Sequence, residues 1–106
     1  MTRYHLGRRG EWKVKQMLQQ DGYYVVRAAA SKGVADLVAI KNGQAFFIQV
    51  KRNCKPTQKE LNRLYDEASS CGAFPLVAIW NSKKRRVFIY HVEWEDDKAC
   101  LRPIFV

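Results

Sequence analysis

Val34-Ala35-Asp36-Leu37-Val38-Ala39-Ile40-Lys41-Asn42-Gly43-Gln44-Ala45-Phe46-Phe47-Ile48-Gln49-Val50-Lys51 is the stretch on which the fold of this chain turns. Two runs rich in β-branched and aromatic residues flank Asn42-Gly43, the dipeptide best suited to a two-residue type I′ turn. The spacing predicts a β-hairpin. With a tight turn Lys41 faces Gln44, and counting back along both strands sets Asp36 opposite Gln49. Opposed residues on one face of an antiparallel pair hold their Cβ atoms about 4.5–5.5 Å apart. Lys51 lies two residues beyond Gln49 and points to the same side. Leu37, Val38, Ala39, Ile40, Phe46, Phe47, Ile48 and Val50 read as buried on both faces. A carboxylate and an ammonium beside such a core must pair or bind something. Two readings stay open at this point: a structural Asp36–Lys51 ion pair, and a metal and phosphate site.

The 106 residues are expected to form one domain spanning 1–106, long enough for a substantial core. A hydrophobic share of 47% and a charged share of 27% are ordinary for a globular protein. The net charge of +9 is large for this length and points to a polyanionic partner. Nucleic acid comes first; a membrane surface is not expected, because no strongly amphipathic basic helix supports it. Cys54, Cys71 and Cys100 are odd in number and lack C-x-x-C spacing, which argues against a zinc site and a disulfide framework. They suit a reducing cytoplasm. No apolar run approaches the roughly 18 residues of a membrane span, and Met1-Thr2-Arg3-Tyr4-His5 lacks the apolar core of a signal peptide.

Working outward from the hairpin, Gly7 to Asp21 reads as an amphipathic helix. Its stripe is Val14, Met17, Leu18 and Asp21, with Glu11 on the same side. Arg8, Arg9, Lys13 and Lys15 spread over the other faces, and Gly22 suits the position after the last turn. Tyr23 to Arg27 reads as a strand, and Ser31-Lys32-Gly33 as the loop that delivers the chain to Asp36. Beyond Lys51 come Arg52 and Lys55, then a second helix opened by Pro56-Thr57-Gln58-Lys59-Glu60. Thr57 and Glu60 match the T-x-x-E capping box. Leu61, Leu64, Tyr65 and Ala68 form its apolar stripe, and Gln58 lies on that stripe at the first turn, where it covers the core edge or reaches the open end of the hairpin. Phe74 to Trp80 reads as a buried strand, Asn81 to Arg86 as a basic turn carrying Lys83, Lys84 and Arg85, and Val87 to Val92 as a further strand. Glu93 to Asp97 reads as an acidic bend, and Cys100 to Val106 as a short last strand. His5 and His91 have no ligand partners at metal spacing and read as structural or exposed. The order α-β-β-β-α-β-β predicts an α/β fold, a mixed β-sheet flanked by helices.

Glu11 on a first helix, Ser31 in a glycine-containing loop, Asp36, and then Gln49-Val50-Lys51 together resemble the PD-(D/E)xK nuclease superfamily. The nearest resemblance is to the archaeal Holliday junction resolvases and to small viral nucleases of the same fold. It spans about residues 7 to 80 and is carried most strongly by G-Y-Y-V-V-R, S-K-G-V-A-D-L-V-A and F-F-I-Q-V-K. The resemblance implies a restriction-endonuclease-like fold and Mg²⁺-dependent phosphodiester hydrolysis, with Mn²⁺ able to substitute. It implies junction DNA as partner, a homodimer, since a four-way junction takes two cuts, and a site in the cytoplasm or, for a viral protein, the host cytoplasm. In it Asp36 matches the central metal ligand and Gln49 the second ligand position. Lys51 matches the motif lysine, Glu11 the helix carboxylate and Ser31 the loop serine. Two departures stand out: Ala35 occupies the place of the usual proline, and Gln49 supplies an oxygen without a charge.

Mg²⁺ takes oxygen ligands, few of them from protein. Asp36, the Gln49 carbonyl oxygen, the Val50 backbone carbonyl and Glu11 are the candidate donors. Lys51 is placed to orient water or to stabilise phosphorane charge. The expected nucleic-acid surface is Arg8, Arg9, Lys13, Lys32, Arg52, Lys55, Gln58, Lys83, Lys84 and Arg85. Three functions follow: a structure-selective endonuclease, a binding module that kept the fold and lost catalysis, and a site-specific restriction-like nuclease, for which the chain leaves little room to add a base-reading element.

Overall fold

A computed structural model describes residues 3–28 and 33–104, with the backbone alone for 3–8. The elements in order are α1 (Arg3–Gln20), β1 (Tyr24–Arg27), β2 (Leu37–Lys41), β3 (Gln44–Arg52), α2 (Gln58–Ser70), β4 (Phe74–Asn81), β5 (Arg86–Glu95) and β6 (Lys98–Pro103). The hairpin has the expected register: Lys41 opposes Gln44 and Leu37 opposes Ile48. Asn42 and Gly43 take φ of 53° and 76°, the left-handed pair that a type I′ turn demands. Asp36 precedes β2 and departs from that register: its N–H donates at 2.8 Å to the carbonyl of Ile48, the residue that already opposes Leu37, so the expected Asp36–Gln49 opposition is not part of the ladder.

The six strands form one sheet in chain order, β1-β2-β3-β4-β5-β6. Every neighbouring pair is antiparallel except β3 and β4, which run parallel with Gln49 beside Val77 and Lys51 beside Ile79. The sheet is thus two three-stranded meanders joined by a crossover, and α2 is that crossover. On one face Val14 and Leu18 of α1 pack on Leu37, Ala39, Ile48, Leu76 and Ala78. On the other, Leu61 and Leu64 of α2 pack with Val77, Ile79, Val92 and Ala99. Leu76 to Ile79 therefore feed the two cores alternately, which is why β4 reads as an unbroken apolar run.

Four expectations change. α1 begins at Arg3 rather than Gly7. A glycine inside a helix costs up to about 1 kcal/mol without stopping it, and at Gly10 a Cβ would lie only 3.6 Å from Val50 Cγ1, so the helix runs close to the sheet there. Asp21 lies past the last turn and is exposed, so it leaves the apolar stripe. Ile40 is 42% exposed rather than buried. It faces Tyr24 across the β1–β2 pair, on the sheet face where α2 packs over β3 to β6 and leaves β1 and β2 uncovered. Finally, the expected last strand forms as β6 at Lys98–Pro103 rather than Cys100 to Val106, giving α-β-β-β-α-β-β-β; of the expected acidic bend Glu93 to Glu95 belong to β5, and Asp96 and Asp97, at φ of 53° and 63°, make the hairpin turn.

Leu64 is fully buried under the sheet. Leu64→Ala is expected to lower unfolding free energy by about 2–5 kcal/mol, and Gly43→Ala by roughly 1–2 kcal/mol because it forces a Cβ into left-handed backbone. Urea unfolding at neutral pH measures both, and a Leu64→Ala midpoint equal to wild type would contradict the two-sided core.

Candidate functional site

The open end of the hairpin gathers its polar side chains where β2 has not yet begun and β3 continues alone. Asp36 bends over this end, and its Oδ2 accepts the Val50 N–H at 2.8 Å. Glu11, from the middle of α1, reaches the same end of the sheet and accepts from Arg27 Nε at 2.9 Å. Glu11 and Arg27 line a small cleft of about 130 Å³ together with Trp12, Lys15 and Leu37.

Gln49 is the one polar residue buried in the core among the described residues, at 4% exposure. It meets a partner that the sequence reading gave only a capping role. Glu60 sits at the third position of α2, where its Oε1 accepts from the Thr57 N–H at 3.0 Å and its own N–H donates to Thr57 Oγ1 at 3.1 Å. That is the predicted capping box. Its other oxygen, Oε2, turns to the sheet and accepts from Gln49 Nε2 at 2.6 Å and from Lys51 Nζ at 2.9 Å. The structural Asp36–Lys51 ion pair, one of the two readings left open by the sequence, does not form; the partner of Lys51 is Glu60. Gln49 Oε1 is left buried, with no hydrogen-bond partner among the described residues.

The environments of the two carboxylates differ in direction. Burial raises the Asp36 pKa above its ordinary 3.8, and the charges of Glu11 and Glu60 add to the rise; the Val50 N–H and the Lys51 ammonium oppose it without cancelling it. Burial acts on Glu60 as well, but the Thr57 N–H, Lys51 and the Gln49 amide outweigh it and hold the carboxyl at about 2. Among the described residues no three acidic, histidine or cysteine side chains are gathered into a metal cluster; Glu11 and Glu60 are in ion pairs with Arg27 and Lys51. The donors that fit a hard divalent cation are the Asp36 carboxylate and the orphaned Gln49 Oε1. An uncompensated buried carbonyl oxygen costs about 1–3 kcal/mol unless something bonds to it.

The basic residues divide between two clefts at this end of the molecule. Arg9, Lys13, Arg52 and Arg85 line one of about 540 Å³ with Trp12 and Trp80, and Lys13 Nζ stands 5.7 Å from the Trp80 ring centre. Lys55, Lys83 and Lys84 line the other, of about 580 Å³. Gln58 belongs to neither: its Nε2 donates to the Ala99 carbonyl at 2.7 Å and to Asn62 Oδ1 at 2.9 Å, tying α2 to β6. Ser31, Lys32 and the Arg8 side chain lie outside the described residues. Glu60, Arg27, Trp12 and Trp80 were missed as site residues. Of these, Glu60 alone carried a signal, since α2 had to start where β3 ends.

The chain matches the family described as archaeal Holliday junction resolvase (hjc) over residues 2–100. A curated relative from Methanocaldococcus jannaschii, crossover junction endodeoxyribonuclease Hjc, is 30% identical over 81 residues, which are 73% of this chain and 60% of that protein. The matched stretch thus falls short of two thirds of the relative's length. The solved structure of Archaeoglobus fulgidus Hjc, a Holliday junction resolvase from an archaeal hyperthermophile, has the same fold, with a TM-score of 0.70 over 88% of this chain and 80% of that one at 21% identity.

Asp36 generates a stability prediction. Its folded pKa lies above 3.8, so between those two values the folded state binds more protons than the unfolded state, and stability falls as pH rises through that window. Above it the whole cost of the buried charge persists. Asp36→Asn keeps an oxygen for the Val50 N–H and removes the charge. In metal-free buffer at neutral pH it is expected to raise the melting temperature. At a pH below 3.8 the gain should vanish. A variant that melts lower than wild type at neutral pH would contradict it.

Proposed function

The chain belongs to the archaeal Holliday junction resolvase family, and from that premise we propose that it is a metal-dependent endodeoxyribonuclease that cuts branched DNA, four-way junctions first. The observation that carries the reading is the convergence of Asp36, Gln49 and Lys51 at the open end of the hairpin, with a buried Gln49 oxygen lacking a donor. Asp36 and Gln49 Oε1 are the residues that would hold Mg²⁺, or Mn²⁺ in its place, with the Val50 carbonyl and Glu11 as the further candidates. When bound, the cation lowers the pKa of the attacking water and neutralises phosphate charge. Lys51, steadied by Glu60 at 2.9 Å, presents its remaining N–H donors to the phosphate or the water. Ser31 keeps the role that the family resemblance gives it.

The two basic clefts flank this end of the sheet and suit a polyanion. The exposed indole of Trp12, with Trp80 beside it, offers a stacking face to bases unpaired at a branch point. Lys13, Arg9, Arg52, Lys55, Lys83, Lys84 and Arg85 are the cations assigned to phosphate contacts. Gln58 is withdrawn from that set because its amide is already bonded twice. A homodimer supplies the two incisions, and the uncovered side chains Tyr24, Val26 and Ile40 on β1 and β2 are the apolar face that a second copy would cover. The whole of 1–106 acts as one nuclease domain in this reading. A reducing cytoplasm suits its three free cysteines, and none of the described helices is long and apolar enough to cross a membrane.

Cleavage of four-way, branched and linear DNA, in Mg²⁺ or Mn²⁺ against EDTA, tests the reading. Wild type is expected to nick the junction only with metal, and Asp36→Asn to bind it as tightly without cutting. The affinity of both should fall with salt by about 0.9 in log K per log salt for each phosphate neutralised. Tight binding with no metal-dependent nicks would leave a binding module; turnover by Asp36→Asn at the wild-type rate would remove Asp36 from the chemistry.

The dimer carries its own prediction. Ile40→Glu is expected to sediment as a monomer at concentrations where wild type sediments as a dimer. Identical sedimentation of the two would place the contact elsewhere.

A further inference from the structure

Position 49 poses a problem that the proposed function leaves open. The neutral side chain is more buried than any charged neighbour described at this end of the sheet, yet it has an acid bonded to its amide and, among the described residues, nothing bonded to its oxygen. The chemistry of the pair explains both facts. A carboxylate only accepts hydrogen bonds, whereas a glutamine amide is a donor at one end and an acceptor at the other. With Glu60 Oε2 at 2.6 Å, Gln49 has to present its NH₂ to the acid. Its oxygen is thereby fixed on the opposite side of the amide, away from α2's carboxylate. Glu60 is held from turning away, because Thr57 N–H bonds its Oε1 and Lys51 its Oε2. The pair Gln49–Glu60 also carries one negative charge in total, the same as a single acid at position 49.

We propose that Glu60 is a positioning residue of the active site: from α2 it supplies the charge that position 49 lacks and orients the Gln49 amide so that Oε1 is the donor offered to a divalent cation beside Asp36. This rests on the reading that the site takes such a cation. It differs from a capping role in what it requires of the side chain. Capping needs one acceptor oxygen, which glutamine supplies as well as glutamate. Orienting Gln49 and holding Lys51 needs a second oxygen that cannot donate. At position 60 a glutamine would keep the cap, but it would offer the Gln49 amide an NH₂ in competition with the oxygen that now fixes it, and Lys51 would lose its counter-charge.

The test is calorimetric titration of Mn²⁺ and Mg²⁺ into DNA-free full-length protein, with melting temperature read beside it. The four proteins are wild type, Glu60→Gln, Gln49→Glu and the exchange variant carrying both substitutions. Glu60→Gln is expected to keep its melting temperature within a few degrees and to bind Mn²⁺ about 10- to 100-fold more weakly, the usual cost of losing a group that orients a metal ligand. Gln49→Glu alone places two carboxylates in the contact that now spans 2.6 Å, so it should melt lower than wild type. The exchange variant restores one acid and one amide in reversed places. It should recover both the melting temperature and Mn²⁺ affinity to within about threefold, far from the sum of the single effects. Glu60→Gln binding Mn²⁺ as wild type does, or an exchange variant with purely additive losses, would overturn the role of Glu60 while leaving the cation site standing. Wild type that takes up neither metal would overturn the site and this inference together.

Discussion

The parallel pairing of β3 with β4 is the constraint from which the rest of the molecule follows. Antiparallel neighbours are joined by a two-residue turn, but a parallel neighbour requires the chain to travel back the full length of the strand. Here α2 makes that journey, between Arg52 and Phe74. A crossover helix necessarily starts at the end of the sheet where its first strand stops. The first turn of α2 is therefore held beside the last residues of β3, where the side chain at its third position, Glu60, reaches Gln49 and Lys51. The return also fixes the two cores. With α2 on one face, α1 is left to cover the other, and β4 between them must be apolar on both sides.

That constraint explains what was legible in the chain. The hairpin was, because Asn42-Gly43 specifies both turn type and register, and one slipped residue would have sent Leu37, Ala39 and Ile48 out of the α1 core. Asp36 and Lys51 were legible as a pair of polar groups at its open end. Their relation was not: same-side spacing left a bond between them as one of two readings, and the ammonium instead goes to a carboxylate from another element. Glu60 was hidden by a correct local explanation. T-x-x-E accounts fully for one of its oxygens, and nothing in the local pattern shows that the second one faces the sheet. Ile40 failed for a different reason. Periodicity marks a side chain as apolar, but whether a helix lies over it depends on where the crossover runs, and α2 runs over β3 to β6.

The electrostatics of the site follow from the same placement. Asp36 is half-buried with thin compensation, a single backbone N–H and a lysine already committed to Glu60. Glu60 lies at a helix start, with N–H, amide and ammonium donors converging on it. Two carboxylates within reach of one lysine are thus held in opposite states of ease. The one that is costly to ionise is the one that a bound cation would relieve, and the one that is easily ionised is bonded in place by the protein itself. Such a division is the usual mark of groups with different tasks in one site.

A glutamine in place of an acid need not mean a disabled site when the charge has a second route in. Charge acts over distance through a partly dry interior, whereas ligation requires an oxygen at contact. The two requirements can be met by different side chains if a hydrogen bond keeps them in register, and an amide can bond an acid with one end and present an oxygen with the other. The Gln49 amide does the first with Glu60, and its oxygen is left buried and unspent. What ties the charge to its place is not the hairpin but the start of α2, so the integrity of this corner depends on the crossover and its capping box as much as on the strands that carry Asp36, Gln49 and Lys51.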